Sequence, residues 1–250
     1  MAYGQFAHIY DQLMQDVPYD KWVSFVQTVK QKYMTDDSNR FSVVDVGCGT
    51  GELAIRFAQE GWEVSGVDLS ESMLAIAHEK ASASGLSIPL FEQNMAELEG
   101  FKDVDCITIF CDSLNYLESE EEVKNTFQSA FNQLKDGGLL LFDVHSLYKM
   151  TQVFMNNTFT SVEEDVSYIW NSFPGEHPNS VEHELSFFVK EEETDRYLRF
   201  DELHFQRTFD VETYRKWLEE AGFIVKSITG DYSTEHLAEH TERVFFVAQK

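Results

Sequence analysis

Apolar residues recur at helical spacing near the start of the chain, as Phe6, Ile9, Tyr10, Leu13 and Met14, and again as Trp22, Val23, Phe25, Val26 and Val29. This predicts two helices over residues 5–33, broken at Val17-Pro18 because the residue before a proline avoids the helical region. After the polar link Asp36 to Asn39 the period changes. Phe41 to Gly47 is a β-branched run, Gly47-Cys48-Gly49-Thr50-Gly51 a glycine-rich turn, and Glu52 to Glu60 is helical again. The alternation continues with Trp62 to Val67 (strand, ending at Asp68) and Glu71 to Ala83 (helix, capped by Ser70). Ser87 to Glu92 and Cys106 to Phe110 read as strands, Glu120 to Leu134 as a helix, and Gly138 to Asp143 as a strand after an Asp-Gly-Gly turn. Strands alternating with helices imply right-handed crossovers and a parallel sheet.

Beyond about residue 155 the period becomes two. Val181, His183, Leu185, Phe187 and Val189 alternate with more polar neighbours, Glu191 to Arg196 reads as a turn, and Tyr197 to Thr208 as the returning strand. With Val162 to Trp170 these form a small antiparallel sheet. The α/β pattern then resumes with a helix over Val211 to Ala221 and strands over Phe223 to Ile228 and Val244 to Ala248. The expected fold is α/β: a Rossmann-like, seven-stranded, mostly parallel sheet whose last strand is antiparallel, with an antiparallel β insert and an N-terminal helical lid. The corresponding division is 1–35 for the lid, 36–154 with 209–250 for the main domain, and 155–208 for the insert.

Composition narrows the function. The 21 Phe and 10 Tyr argue for a packed core rather than disorder. Nineteen basic against 44 acidic residues leave a net charge of −25, a field that repels phosphate backbones, so no nucleic-acid partner is expected. No apolar run approaches the ~18–20 residues of a membrane helix, and MAYGQFAHIYDQLMQD lacks the pattern of a secretory signal. Cys48, Cys106 and Cys111 fit neither a disulfide framework nor a metal site, which makes a reducing cytoplasm the expected compartment.

Candidate chemistry gathers at the carboxyl ends of the predicted strands, where an open parallel sheet binds ligands. Asp45 and Gly47, Gly49 and Gly51 follow the first strand, and Asp68 ends the second, 17 residues after Gly51, where a carboxylate can accept both ribose hydroxyls of an adenosine. Glu52 stands where a dinucleotide fingerprint would have its third glycine. A carboxylate at that helix start opposes a pyrophosphate, so the adenosyl cofactor is expected to lack phosphates.

Taken together, VVDVGCGTGELA, GVDLSESML, FEQNMAE, CDSLNY, LKDGG and the later EAGF resemble, in order, the motifs of the class I S-adenosylmethionine-dependent methyltransferases. The resemblance implies S-adenosyl-L-methionine as cofactor, with Gly47, Gly49 and Gly51 lining it and Cys48 filling space within the loop. Asp45 would hold the turn or meet the methionine ammonium through water, and Asp68 would take the ribose. Leu69 and Met73 would flank the adenine, although Met73 also sits at core spacing, and Asn94 and Met95 would meet the ring's edge and face. Cys111, Asp112, Ser113 and Tyr116 belong to the segment at the active-site mouth. The opening Tyr3, Tyr10, Tyr19 and Trp22 are similar to a subgroup acting on small molecules, in which aromatic residues of an N-terminal helical segment approach the methionine end; core filling is the competing reading.

Methyl transfer from a sulfonium needs in-line placement and exclusion of water, and a base where the acceptor carries a proton. The candidates are His145 and Asp112, with Tyr10 or Tyr116 orienting; His183 and His204 could face the pocket from the insert or simply pack in its sheet. No metal is expected. A small-molecule acceptor fits the acidic charge best. The alternatives are an RNA or protein methyltransferase, which calls for a basic approach surface not visible in the sequence, and a catalytically silent cofactor-binding partner. A nicotinamide dehydrogenase is disfavoured by Glu52. Asp68→Ala should weaken cofactor binding tenfold to several hundredfold, since hydrogen bonds to a charged acceptor are worth roughly 1.5–3 kcal/mol each. Unchanged affinity in calorimetry with the variant folded would remove Asp68 from the ribose site.

Overall fold

The computed structural model describes residues 9–34, 40–191, 194, 196–232 and 237–250. A short helical segment over 9–13 precedes α1 (Tyr19–Tyr33). Then follow β1 (Ser42–Val46), α2 (Glu52–Gln59), β2 (Glu63–Asp68), α3 (Glu71–Ala83), β3 (Leu90–Glu92), β4 (Val104–Ile109), α4 (Glu120–Gln133) and β5 (Leu134–His145). A π-helical turn, Lys149–Phe154, leads into β6 (Thr158–Val162), β7 (Val166–Pro174), β8 (Ser180–Lys190) and β9 (Tyr197–Arg207). The chain closes with α5 (Val211–Glu220), β10 (Ile224–Gly230) and β11 (Arg243–Gln249). No helix among the described residues is long and apolar enough to cross a membrane.

Seven strands form one sheet in the order β10-β11-β5-β4-β1-β2-β3, with β11 antiparallel to both neighbours. The other four form a separate antiparallel sheet, β6-β7-β8-β9. This is the Rossmann-like architecture expected from the alternation of elements. Successive residues of a strand face opposite ways, so each strand of the large sheet feeds two cores. Val44, Ile107, Phe142 and Phe246 pack under α4 and α5 against Phe127, Tyr214 and Trp217. Val43, Cys106, Leu141 and Phe245 pack on the other side against α1 and α2, meeting Trp22, Phe25, Val26 and Phe57.

Two strands differ from expectation. Only Leu90–Glu92 of the expected strand over Ser87 to Glu92 pairs with β2. Pro89 has no N–H for the ladder and contributes only its carbonyl, to Gly66 N. The single strand expected over Val162 to Trp170 is a hairpin, in which β6 and β7 turn back at Glu163 to Asp165 and Ser167 Oγ bonds across the turn.

The N-terminal region, expected as one helical lid over 1–35, packs in two different clusters among its described residues. Helix α1 is core: Trp22 and Val26 are buried, and Phe25 packs on Phe110 and Phe245. The 9–13 segment packs in a separate cluster. Ile9 shares a buried cluster with Met73 of α3 and with Val166 and Phe187 of the smaller sheet, so it links that helix to that sheet. Its neighbour Asp11 accepts from Lys80 Nζ at 2.6 Å and from Thr50 Oγ1 at 2.5 Å, and Lys80 also reaches Glu52 at 3.0 Å. Deleting residues 1–33 should therefore abolish cooperative folding, whereas deleting residues 1–14 should leave a native-like melt; circular dichroism of the two truncations checks this, and a folded product of the longer deletion would contradict the assignment of α1 to the core.

Candidate active site

The site is built where β1, β2, β4 and β5 end. After β1 the chain must turn at once into α2, and Gly47, Gly49 and Gly51 all adopt positive φ to do so. Gly47 N and Cys48 N donate to Val67 O of β2, at 2.7 and 3.0 Å. Asp68 then holds the loop tip: its Oδ2 accepts from Gly49 N at 2.8 Å and its Oδ1 from Ser70 N at 2.9 Å. A carboxylate offers about four lone-pair directions, so Asp68 keeps capacity for further donors. Burial raises its carboxyl pKa, against the lowering effect of those backbone N–H groups.

The loop borders a small cavity of about 40 Å³, lined among others by Tyr10, Tyr19, Asp45, Gly49, Phe110 and Cys111. A side chain at Gly49 would meet nothing within 4 Å, so the loop presents bare backbone to open space. Gly51 answers a different demand, because a Cβ there would lie 2.9 Å from Ala77 Cβ, where α2 meets α3. Gly47, Ser113 and Met95 come together, a Cβ on Gly47 falling 2.7 Å from Ser113 Cβ and 3.8 Å from Met95 Cε. Cys48 is buried behind the loop against Gly66, as a space-filler would be.

Other expected contacts are placed differently. Met73 is buried with Ile9, the core reading of its position. Asn94 caps the turn over 95–97 by accepting from Ala96 N at 2.9 Å. Leu69 stands exposed beside Asp68, and Tyr116 is half exposed with its ring edge-on to His204 at 5.9 Å. Trp22 is not among the cavity's lining residues; its indole donates to Asp143 Oδ2 at 2.7 Å from within the core. Tyr3 lies outside the described residues.

A charge cluster flanks the cavity. Cys111 and Asp112 end β4 in the left-handed region, at φ 54° and 55°, a conformation that costs energy in non-glycine residues and concentrates at functional sites. The turn brings Asp112 N to Asp143 Oδ1 at 2.8 Å. Arg243, the first residue of β11, donates to Asp112 Oδ1 at 2.8 Å and to Asp143 Oδ1 at 2.9 Å. Gln206 of β9 donates to Asp112 Oδ2 at 2.8 Å, and His145 Nε2 lies 3.3 Å from the same oxygen. Although burial alone would raise the Asp112 pKa, His145 and Arg243 hold its carboxyl well below the usual range. Burial lowers the His145 pKa against the pull of Asp112, and His145 Nδ1 has no hydrogen-bond partner among the described residues. Arg243, Asp143 and Gln206 were not among the expected site residues; a lone arginine opening the apolar run Val244 to Ala248 was the available signal for the first.

The arrangement is that of a class I methyltransferase: a bare glycine loop, a carboxylate with spare acceptor capacity at the next strand end, and a carboxylate, Glu52, at the start of α2 where a phosphate-binding protein would keep positive potential. Residues 43–138 match the family described as Methyltransferase domain. A protein of Geobacillus sp. (strain WCH70), provisionally named a methyltransferase, is 55% identical over 250 residues, covering 100% of both chains. The crystal structure of an S-adenosylmethionine-dependent methyltransferase from Clostridium acetobutylicum ATCC 824 is 32% identical with a TM-score of 0.88, over 100% of this chain and 99% of that one. An amino pentose methyltransferase from Micromonospora echinaspora, solved with S-adenosylmethionine bound, shares the fold at 19% identity and a TM-score of 0.77, over 97% and 95% of the chains. The chain belongs to the class I S-adenosylmethionine-dependent methyltransferases, and S-adenosylmethionine is its cofactor.

Asp45 sits behind the loop, wholly buried, accepting from Thr108 Oγ1 at 2.8 Å. Burial, with a smaller push from Asp68, raises its carboxyl pKa to about 7. Its unfolded value is about 3.9, so its ionisation costs stability increasingly from about pH 4 to pH 7, and fully above that. Asp45→Asn should be more stable than the parent by roughly 1–3 kcal/mol at pH 8 and nearly equal to it at pH 4. Denaturant melts at both pH values check this; an equal difference at both would show that Asp45 does not titrate in this range.

Proposed function

We propose that the enzyme methylates a small-molecule acceptor held between the carboxyl edge of the large sheet and the inner face of the four-stranded sheet, with His145 as the base. The observation that carries this reading is the Gln206–Asp112 hydrogen bond, which ties β9 to the end of β4 and folds the smaller sheet over the strand ends. A polymer would have to pass this cover, and the net charge of −25 opposes a nucleic acid. The amino pentose methyltransferase with the same fold acts on an acceptor of this size class.

When bound, S-adenosylmethionine supplies a methyl carbon whose bond to sulfur breaks, the electron pair leaving with sulfur, as the acceptor's oxygen or nitrogen bonds to it. The protein's part is to bind and orient. Gly49 and the open space before it would admit the nucleoside, Asp68 would take the ribose hydroxyls, and Tyr10 and Tyr19 would cover the methionine end, where aromatic faces favour a sulfonium cation. Asp112, kept ionised by Arg243, would orient His145, and His145 Nδ1, with no partner of its own, would take the acceptor's proton. The segment over 9–13 would keep water out once the cofactor has entered.

Incubation with methyl-labelled cofactor and separated pools of metabolites, RNA and protein should put label into the metabolite pool. Label in RNA or protein instead would overturn the acceptor class, and none in any pool would favour a silent binding protein. With the labelled metabolite as substrate, His145→Gln should lower kcat on the order of a hundredfold or more while leaving cofactor affinity within about twofold. An unchanged kcat would remove His145 as the base.

A further inference from the structure

Five residues, from four strands and the turn after β4, form a hydrogen-bond chain whose members' donor and acceptor roles can be assigned. Trp170 Nε1 of β7 lies 2.8 Å from His183 Nδ1 of β8, and an indole N–H can only donate. His183 must therefore accept at Nδ1 and carry its proton on Nε2. Burial agrees with a neutral ring, lowering the His183 pKa to about 4. His183 Nε2 lies 3.3 Å from Gln206 Oε1, which fixes the amide's orientation, and Gln206 Nε2 then donates to Asp112 Oδ2 at 2.8 Å. Asp112, ionised and bound through Oδ1 to Arg243, can only accept, so His145 Nε2 at 3.3 Å must be the protonated nitrogen.

We propose that Gln206, held in place by His183 and Trp170, is a positioning residue of the methyl-transfer reaction, sharing Asp112 Oδ2 with His145 and so setting how firmly that carboxylate holds the imidazole. The inference rests on the reading of His145 as the base and deepens it. The smaller sheet then does more than cover the acceptor, because through Gln206 it shares the carboxylate that orients His145. The rings are held against rotation: Phe154 packs edge-on to His145 at 5.1 Å and to His183 at 4.9 Å. The His145 backbone is pinned as well, its N donating to Asn115 Oδ1 at 2.9 Å and its carbonyl accepting from Thr208 Oγ1 at 2.6 Å. Nδ1 is the atom left without a partner among the described residues.

Long-range proton–nitrogen NMR of the full chain with labelled histidine reads the tautomers directly and needs no acceptor. The proposal expects both His145 and His183 to be protonated on Nε2 in the parent protein. Gln206→Leu should leave His145 protonated on Nε2, because ionised Asp112 can still only accept. The groups facing His145 are Asp112, Arg243, Lys149 and His183. Removing the amide donor from Asp112 strengthens that carboxylate's hold on the imidazolium, so the titration midpoint of His145 should move up in Gln206→Leu, by about one unit. His145 protonated on Nδ1 in the parent protein, or an unchanged midpoint in folded Gln206→Leu, would overturn the proposal. Failure of the base reading is separate and shows as unchanged turnover in His145→Gln, whatever the tautomers.

Discussion

Two carboxylates, Asp112 and Asp143, stand at the ends of adjacent parallel strands, and a single guanidinium, that of Arg243, lies between them with most of its surface buried. Parallel strands that end side by side bring their terminal residues together, and uncompensated charges there would cost several kcal/mol each. Arg243 can reach both because β11 runs antiparallel beside β5, pairing Arg243 with His145. Burial opposes the cation, but the two carboxylates hold it protonated more firmly than an arginine in water. The remaining lone pairs of the same carboxylates carry the rest of the site: Trp22 of α1 on Asp143, and Gln206 and His145 on Asp112.

That one cluster therefore ties together elements distant in sequence. The helix α1, the smaller sheet and the last strand each place a polar side chain on it, while the glycine loop and Asp68 form a second, largely independent centre joined to it through Ser113, which donates to Gly47 O and Phe110 O. The division matches the chemistry. Nucleoside binding calls for a rigid loop with a carboxylate behind it, and proton transfer calls for a neutral imidazole whose orientation is enforced from several sides. The 9–13 segment spans both, through Asp11 on Thr50 and Lys80 and through Ile9 on the smaller sheet.

The glycine turn and the strand end at Asp68 were legible in the sequence because they are local. Asp45, the glycines and Asp68 lie within two consecutive strand–helix units, and their spacing carries the geometry. The period-two pattern likewise disclosed the smaller sheet, since each of its strands buries one face. The charge cluster was not legible, because its partners are brought together only by topology: Arg243 lies 131 residues from Asp112, and Trp22 lies 121 from Asp143. Aromatic residues near the N-terminus suggested a single lid. Their pattern could not separate Trp22, which fills the core, from Tyr10, which lines the cavity, because both sit at apolar positions of helical spacing.

A crystal structure with S-adenosylhomocysteine tests the account most directly. The central claim is that the glycine loop and Asp68 hold the nucleoside while the Asp112–Arg243 cluster and His145 face the acceptor. The account predicts ribose hydroxyls on Asp68, the backbone of Gly49 against the ligand, and the sulfur turned toward the side on which Asp112 and His145 lie. A ligand bound with its sulfur turned away from that cluster, or with its ribose clear of Asp68, would contradict it.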